Sequence, residues 1–307
     1  MKKINFAEPL IGKTEKKYLN DALDSGWISK GQFVEKFERG FSKIMGCKYA
    51  LSTNNGTNAL MLILLSLNLK KDDEIIVPSL CYISPIHILK ILKIKIVPVD
   101  IDKETFQLDL KRIEKNVSKN TKAILMIHNF GGVGDTKKIE QIAKKNNLTL
   151  IEDISETLLT QNKNKYIGIS KDSKLLKISF SSLHATKTIT TGEGGIIFLN
   201  NKSLAYKLQN IRDHGIKDSQ KYLYQRLGGN FRISNLLAAI GCAQIKRIPY
   251  IKKKKLLINK IYLNNLSNIQ DIRFQKSPKN HKLIKWGFPI FFNSKRIRDN
   301  LIHELNK

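Results

Sequence analysis

Cysteine is scarce: Cys47, Cys81 and Cys242 are the only three in 307 residues, too few and too scattered for a disulfide framework. No Cys-x-x-Cys pair and no His/Cys cluster at metal-ligand spacing occurs, so no metal site is expected and a reducing compartment is. Long apolar runs are lacking too. The longest, residues 59–69, includes Ser66 and Asn68 and falls short of the ~20 residues a membrane helix needs. Near the start, Asn5, Glu8 and Pro9 interrupt any apolar core behind Lys2 and Lys3, which argues against a secretion signal. A cytoplasmic chain without a membrane partner is the resulting expectation. Acidic residues are few, 26 against 54 basic, for a formal charge of +28. That balance would by itself point to nucleic acid or another anionic surface. The lysines, however, are spread over the whole chain among abundant Asn and Ile, which reads as a solvated surface rather than a phosphate track. No nucleic-acid partner is expected.

What is present is an alternation of short apolar runs with helical patterns. Glu74 to Leu80, Lys95 to Ile101, Ala123 to Asn129 and Leu148 to Ile154 read as buried strands. Between them, Ser84 to Lys93 and Asp135 to Asn146 carry apolar residues at helical spacing, with Asp135 as an N-cap. This β-α-β order predicts an α/β fold with a mostly parallel central sheet and helices on both faces. Ligands in such sheets sit beyond the carboxyl ends of the strands. After about residue 250 the character changes: Lys252 to Lys255 starts a basic helix, a run including Trp286 to Phe292 follows, and a last helix begins at Lys295. The expected division is a large domain over 1–250 and a small one over 251–307. The lysine cluster at 252–255 reads as a solvated helix face.

Several segments fall at strand ends or helix starts. In Ser182–Gly195, SLHATKTITTGEGG, Lys187 lies just beyond the apolar run Leu175 to Ser182, and a Thr/Gly loop leads into a second run, Gly195 to Leu199. A lysine held there, among small residues that let backbone approach a ligand, suits covalent attachment to an aldehyde cofactor. Gly56 and Thr57 open an apolar helix over 59–67, and the free amides of such a start bind phosphate or simply take a cap. LIEDISE, 150–156, ends a strand on Glu152 and Asp153, which alternation sends to opposite faces, so only one can serve a given site. PSLCYISP, 78–85, follows a strand and supplies Tyr82, while GNFRIS, 229–234, precedes a small-residue helix over 236–244.

Taken in order, these motifs resemble the DegT/DnrJ/EryC1/StrS family of sugar aminotransferases, which use pyridoxal phosphate (PLP), over residues 8 to 250. The resemblance implies PLP fold type I, with a small α+β domain that is partial here because relatives extend further, and with residues 1–20 packing against it. It implies that Lys187 carries PLP and that Asp153 keeps the pyridine nitrogen protonated. Gly56, Thr57 and Ser182 would hold the phosphate, with Asn55 where a serine is usual, and Tyr82 would stack on the ring. Asn230 would reach the phosphate of a neighbouring subunit, giving a homodimer with shared active sites. His184 and Arg232 would contact substrate. Glu156, where most relatives have Gln or His, resembles the perosamine-synthase branch, as does the motif around Trp27 and Ser29, one residue shorter than in that branch. The reaction implied is transfer of an amino group from an amino acid, glutamate, to a nucleotide-linked keto sugar for cell-surface polysaccharide. One rival is a sugar dehydrase of the same family, in which histidine replaces the lysine kept here. The other is a non-catalytic anion-binding descendant.

Overall fold

Alternating apolar side chains give the central strands two buried faces, and this determines how the helices are laid on them. The computed structural model describes residues 5–170, 172–216 and 223–306; Lys2 and Lys3 lie outside these. Helices α1 (Lys13–Asp24) and α2 (Gln32–Met45) precede β1 (Tyr49–Thr53) and α3 (Gly56–Ser66). Then β2 (Glu74–Pro78), α4 (Ser84–Ile91), β3 (Lys95–Val99), α5 (Leu110–Asn116), β4 (Thr121–Ile127), α6 (Thr136–Lys145) and β5 (Thr149–Asp153) alternate. A small hairpin, β6 (Gln161–Asn162) and β7 (Lys165–Tyr166), leads to β8 (Lys177–Ser182), β9 (Gly195–Leu199), α7 (Lys202–Arg212) and α8 (Asn235–Leu266). β10 (Ile272–Phe274), β11 (His281–Lys282), β12 (Ile290–Phe292) and α9 (Lys295–Leu305) follow.

Seven strands form one sheet in the order β1-β9-β8-β5-β4-β2-β3. β3, β2, β4, β5 and β8 run parallel, while β9 is antiparallel to both its neighbours. Each expected strand is present, shortened by a residue or two at its ends or begun slightly earlier, and Asp135 caps α6 by accepting from the Lys138 amide at 3.0 Å. Leu125, Ile127, Ile151, Ile178 and Phe180 pack with α3 on one face. Ile124, Met126 and Leu150 pack with Ile139 and Ile142 of α6 on the other. A third cluster joins Phe33, Phe37 and Phe41 of α2 to Ala238, Ala239 and Ile248 of α8.

The helix expected to start at Lys252 does not. α8 is continuous over 32 residues, with Pro249 inside it, so residue 250 falls within a helix rather than at a break. A proline removes one helical donor, and packing can carry the helix across that gap. Its first half is locked to α1 by Arg247, whose Nε and Nη2 donate to Glu15 Oε1 and Oε2 at 2.6 and 2.9 Å. The C-terminal segment is also tied to the main body. β11 pairs with β6, and the Ile284 amide donates to Thr160 Oγ1 at 2.8 Å. Among the described residues no helix is long and apolar enough to cross a membrane.

On the α6 face, Glu152 is fully buried with Lys177 Nζ at 2.9 Å, and His128 Nε2 lies 3.6 Å from its other oxygen. Burial alone would raise the Glu152 pKa, but Lys177 and then His128 overcome it and hold the carboxyl at about 2. Lys177 also meets Glu140 at 2.7 Å. Lys177→Met, which strands Glu152 without its cation, is expected to cost about 3–5 kcal/mol in urea unfolding, and Lys177→Met with Glu152→Leu to recover most of it. Because the folded pKa of Glu152 lies below its usual value of 4.5, its contribution is complete above that pH and fades as the pH falls toward 2.

Candidate active site

The strand ends surround a cavity of about 400 Å³, within the range of small-molecule sites. Residues after β2, β4, β5 and β8 line it, together with the first turn of α3 and Trp286 from the loop between β11 and β12. Asp153 ends β5 on the α3 face, opposite Glu152, and lines this cavity. Its carboxylate accepts from the Ser155 amide at 2.9 Å, closing a local turn. Burial pushes its pKa up, opposed by the Ser155 bonds and by the positive charge of Lys187.

Lys187 hangs from the turn after β8, where its amide donates to His184 O at 2.8 Å. Its Nζ is 3.4 Å from Glu156 Oε1 and 4.2 Å from the ring centroid of Trp286. Burial also raises the Glu156 pKa, while Lys187 and the Phe130 amide, 2.6 Å from Oε2, work against it. Across the cavity, Asn55 caps α3 by accepting from the Asn58 amide at 2.7 Å, leaving the amides of Gly56 and Thr57 without helical partners. Gly56 has to be glycine: a Cβ there would lie 2.8 Å from Ser182 Cβ and 3.0 Å from its Cα. Gly195 is similarly pressed, its Cβ position 2.4 Å from Asn55 O. Ser182 is steadied by its backbone amide, which donates to Ser155 Oγ at 2.8 Å. His184 lines the rim, with Nδ1 3.0 Å from Thr186 Oγ1, and Tyr82 stands at the mouth with 78% of its surface exposed.

Gly56, Thr57, Tyr82, Asp153, Glu156, Ser182, His184 and Lys187 are therefore brought together. Trp27, Ser29, Asn230 and Arg232 are not. Ser29 and Arg232 line a separate cavity of about 470 Å³, where Arg232 pairs with Asp213 and its Nε donates to Asn230 Oδ1 at 3.2 Å. Trp27 is 69% exposed over a third, shallow depression. Asn235 pins this region to α8 by donating from Nδ2 to Trp27 O at 2.6 Å and from its amide to Ser29 O at 3.0 Å. Sequence reading missed His128, Ser155 and Trp286 as members of the main cavity, while Asn55, read as replacing a serine of the phosphate cup, does line it. Asp-x-Ser at 153–155 is a readable turn signal, whereas the contact of Trp286 with Lys187 spans about a hundred residues and leaves no local trace.

The donor set matches the poles of PLP: a buried carboxylate, a primary amine, and a helix start pressed against a serine for the phosphate. A profile described as the DegT/DnrJ/EryC1/StrS aminotransferase family matches residues 9–307. The chain belongs to that family. It is a PLP-dependent sugar aminotransferase of fold type I. The chain is 35% identical to a GDP-perosamine synthase of Escherichia coli O157:H7 over 99% of its length and 82% of that protein's. A GDP-perosamine synthase of Vibrio cholerae is 33% identical, over 85% and 70% of the two chains. Among solved structures, Helicobacter pylori PseC, an aminotransferase of pseudoaminic acid biosynthesis, superposes with a TM-score of 0.91 at 26% identity, covering 99% of this chain and 81% of that one. The E. coli GDP-4-keto-6-deoxy-D-mannose-3-dehydratase with bound hydrated PLP gives 0.89 at 25%, covering 99% and 83%.

Because Gly56 touches Ser182, Gly56→Ala is expected to push α3 off the strand end and to cost about 1–3 kcal/mol of stability, with weaker PLP retention measured by equilibrium dialysis. Unchanged retention would show that this close approach does not shape the phosphate side of the cavity.

Proposed function

We propose that the protein transfers an amino group from glutamate to a keto sugar carried on guanosine diphosphate, forming an amino sugar for cell-surface polysaccharide. The observation that carries this reading is one cavity holding Lys187, Asp153 and Glu156, with Nζ 3.4 Å from Glu156. The guanosine carrier rests on the GDP-perosamine synthases among the relatives, and the acidic residue at 156 agrees with that branch.

Bound PLP supplies an aldehyde carbon that carries the amino group and a ring that takes up electron density. Lys187 holds the cofactor between turnovers, and its Nζ moves the proton taken from the donor's Cα. Asp153 holds a proton on the ring nitrogen. Glu156 faces Lys187, and Tyr82 would help hold the ring of a bound cofactor. The first turn of α3, the Thr57 hydroxyl and Ser182 bind the phosphate. His184, Arg232, Trp27 and Ser29 meet the substrate, the last three from outside the main cavity. Asn230, exposed and outside the main cavity, completes the phosphate site of a second subunit in a homodimer. The N-terminal stretch packs with the C-terminal segment, a reading that has support in Phe6, whose ring meets that of Trp286. Three unpaired cysteines agree with a cytoplasmic enzyme. A dehydratase structure is among the neighbours, but the family resemblance implies histidine in the dehydrases where this chain keeps Lys187, and an amine at that position favours amino transfer.

Incubation with PLP, glutamate and a panel of nucleotide keto sugars, read by mass and NMR, should yield an amino sugar from a GDP-linked substrate; a dehydrated sugar would overturn the assignment. Borohydride reduction should leave the pyridoxyl label on Lys187 and on no other lysine. Asp153→Asn is expected to lower turnover on the order of 10²-fold, about 3 kcal/mol of transition-state stabilisation, with PLP still bound. Mixed subunits test the dimer. Lys187→Ala and Asn230→Asp homodimers are each expected to be inactive and to regain activity on subunit exchange, because one site of each heterodimer is then intact. If Asn230 serves its own subunit, no activity returns.

A further inference from the structure

Tyr82 stands exposed at the mouth of the cavity, in the stretch 79–83 that joins β2 to α4. That stretch has few ties of its own. The Ser79 amide donates to Val99 O at 2.9 Å and the Ser79 hydroxyl to Asp100 Oδ1 at 3.1 Å, both where the chain leaves β2. The tie nearest Tyr82 on that side comes from the end of β4, where Asn129 Nδ2 donates to Leu80 O at 2.9 Å. Asn129 is itself firmly held. It is buried, lines the same cavity, and uses Nδ2 a second time on Phe106 O at 3.1 Å. Its carbonyl accepts from Gln275 Nε2 at 2.9 Å and from Gln107 Nε2 at 3.3 Å. The next residue, Phe130, has a φ of 59°, a left-handed conformation that few bulky residues adopt, and its amide reaches Glu156 Oε2 at 2.6 Å. Gly131 follows, so close to Lys285 that a Cβ would lie 2.6 Å from its Cα.

We propose that Asn129 is a positioning residue for Tyr82: it fastens the loop that carries the aromatic ring to a rigid turn at the end of β4, and so sets how tightly the site keeps PLP. The inference rests on the aminotransferase reading and on the place given there to Tyr82. A side-chain amide has two N–H donors, and Asn129 engages both on backbone carbonyls of other loops, so neither is left for a ligand. Its effect therefore passes through the loop. Holding a loop in its binding conformation before the cofactor arrives reduces the entropy lost on binding, which raises affinity without adding a contact.

The test measures retention of PLP by equilibrium dialysis on the full chain as wild type, Asn129→Ala, Tyr82→Ala and the double variant. Asn129→Ala is expected to weaken retention about five-fold, the net worth of one hydrogen bond, and to add no further loss once Tyr82 is gone. Asn129→Ser, which keeps a single donor, is expected to show a smaller loss. Wild-type retention in Asn129→Ala overturns the proposal. An equal loss with and without Tyr82 overturns it too, because direct contact of Asn129 with PLP or a general loosening of the site gives that result. Should Asn129→Ala not fold, Asn129→Ser must show a loss that depends on Tyr82, and no such loss overturns the proposal. A Tyr82→Ala chain that retains PLP as the wild type does defeats the role given to Tyr82 and this proposal with it. A wild-type chain that retains no PLP sinks the aminotransferase reading itself, a result distinct from failure of the role given to Asn129.

Discussion

Two adjacent carboxylates, Glu152 and Asp153, end the same buried strand, and the fold accommodates both because the pleat of β5 turns them to opposite faces. On the α6 face Glu152 has Lys177 at 2.9 Å and His128 nearby, which keep it ionised despite full burial. On the α3 face Asp153 opens into the cavity with Lys187. Each carboxylate needs its own positive charge, since a desolvated anion left alone costs several kcal/mol. The sheet order meets this need by placing β8 beside β5: Lys177 begins that strand and Lys187 follows its end. One strand pair thus sets both the charge balance of the core and that of the site.

The phosphate side depends on a second constraint, the contact of Gly56 with Ser182. It brings the positive end of α3 to the end of β8, in the wall of the cavity that Asp153 also lines. The C-terminal segment supplies the remaining wall. β11 pairs with β6, Ile284 is buried under Thr160, and the next residue but one, Trp286, reaches Lys187. The site is therefore shared between the α/β body and a segment joined to it by the β11–β6 pair, by hydrogen bonds such as that of the Lys276 amide to Glu104 O at 2.9 Å, and by the stacking of Phe291 on Phe106.

Much of this was legible in the sequence, for reasons that can be named. The strands of the parallel sheet stand out as short apolar runs because both faces are buried, and Asp153 could be separated from Glu152 because strand periodicity is strict. Lys187 was readable because a strand, a turn of small residues and a second strand frame it between Leu175 and Leu199. The continuity of α8 across Pro249 was not, because tertiary packing against α1 outweighs the local helix-breaking signal. Trp286 was visible only as a rare residue, since its partners are distant in the chain. The resemblance pointed to Trp27, Ser29, Asn230 and Arg232, and the single chain places them outside the cavity that holds Lys187, which sequence alone could not tell.

The central claim is that Lys187 moves a proton at the donor's Cα in a site built around Asp153. It is tested most directly by incubating the PLP-loaded protein with glutamate in D₂O, without any sugar, and following the α-proton signal by NMR. The account predicts that the wild type washes out that signal while Lys187→Ala does not. Absence of exchange in the wild type, or equal exchange in both proteins, would contradict it.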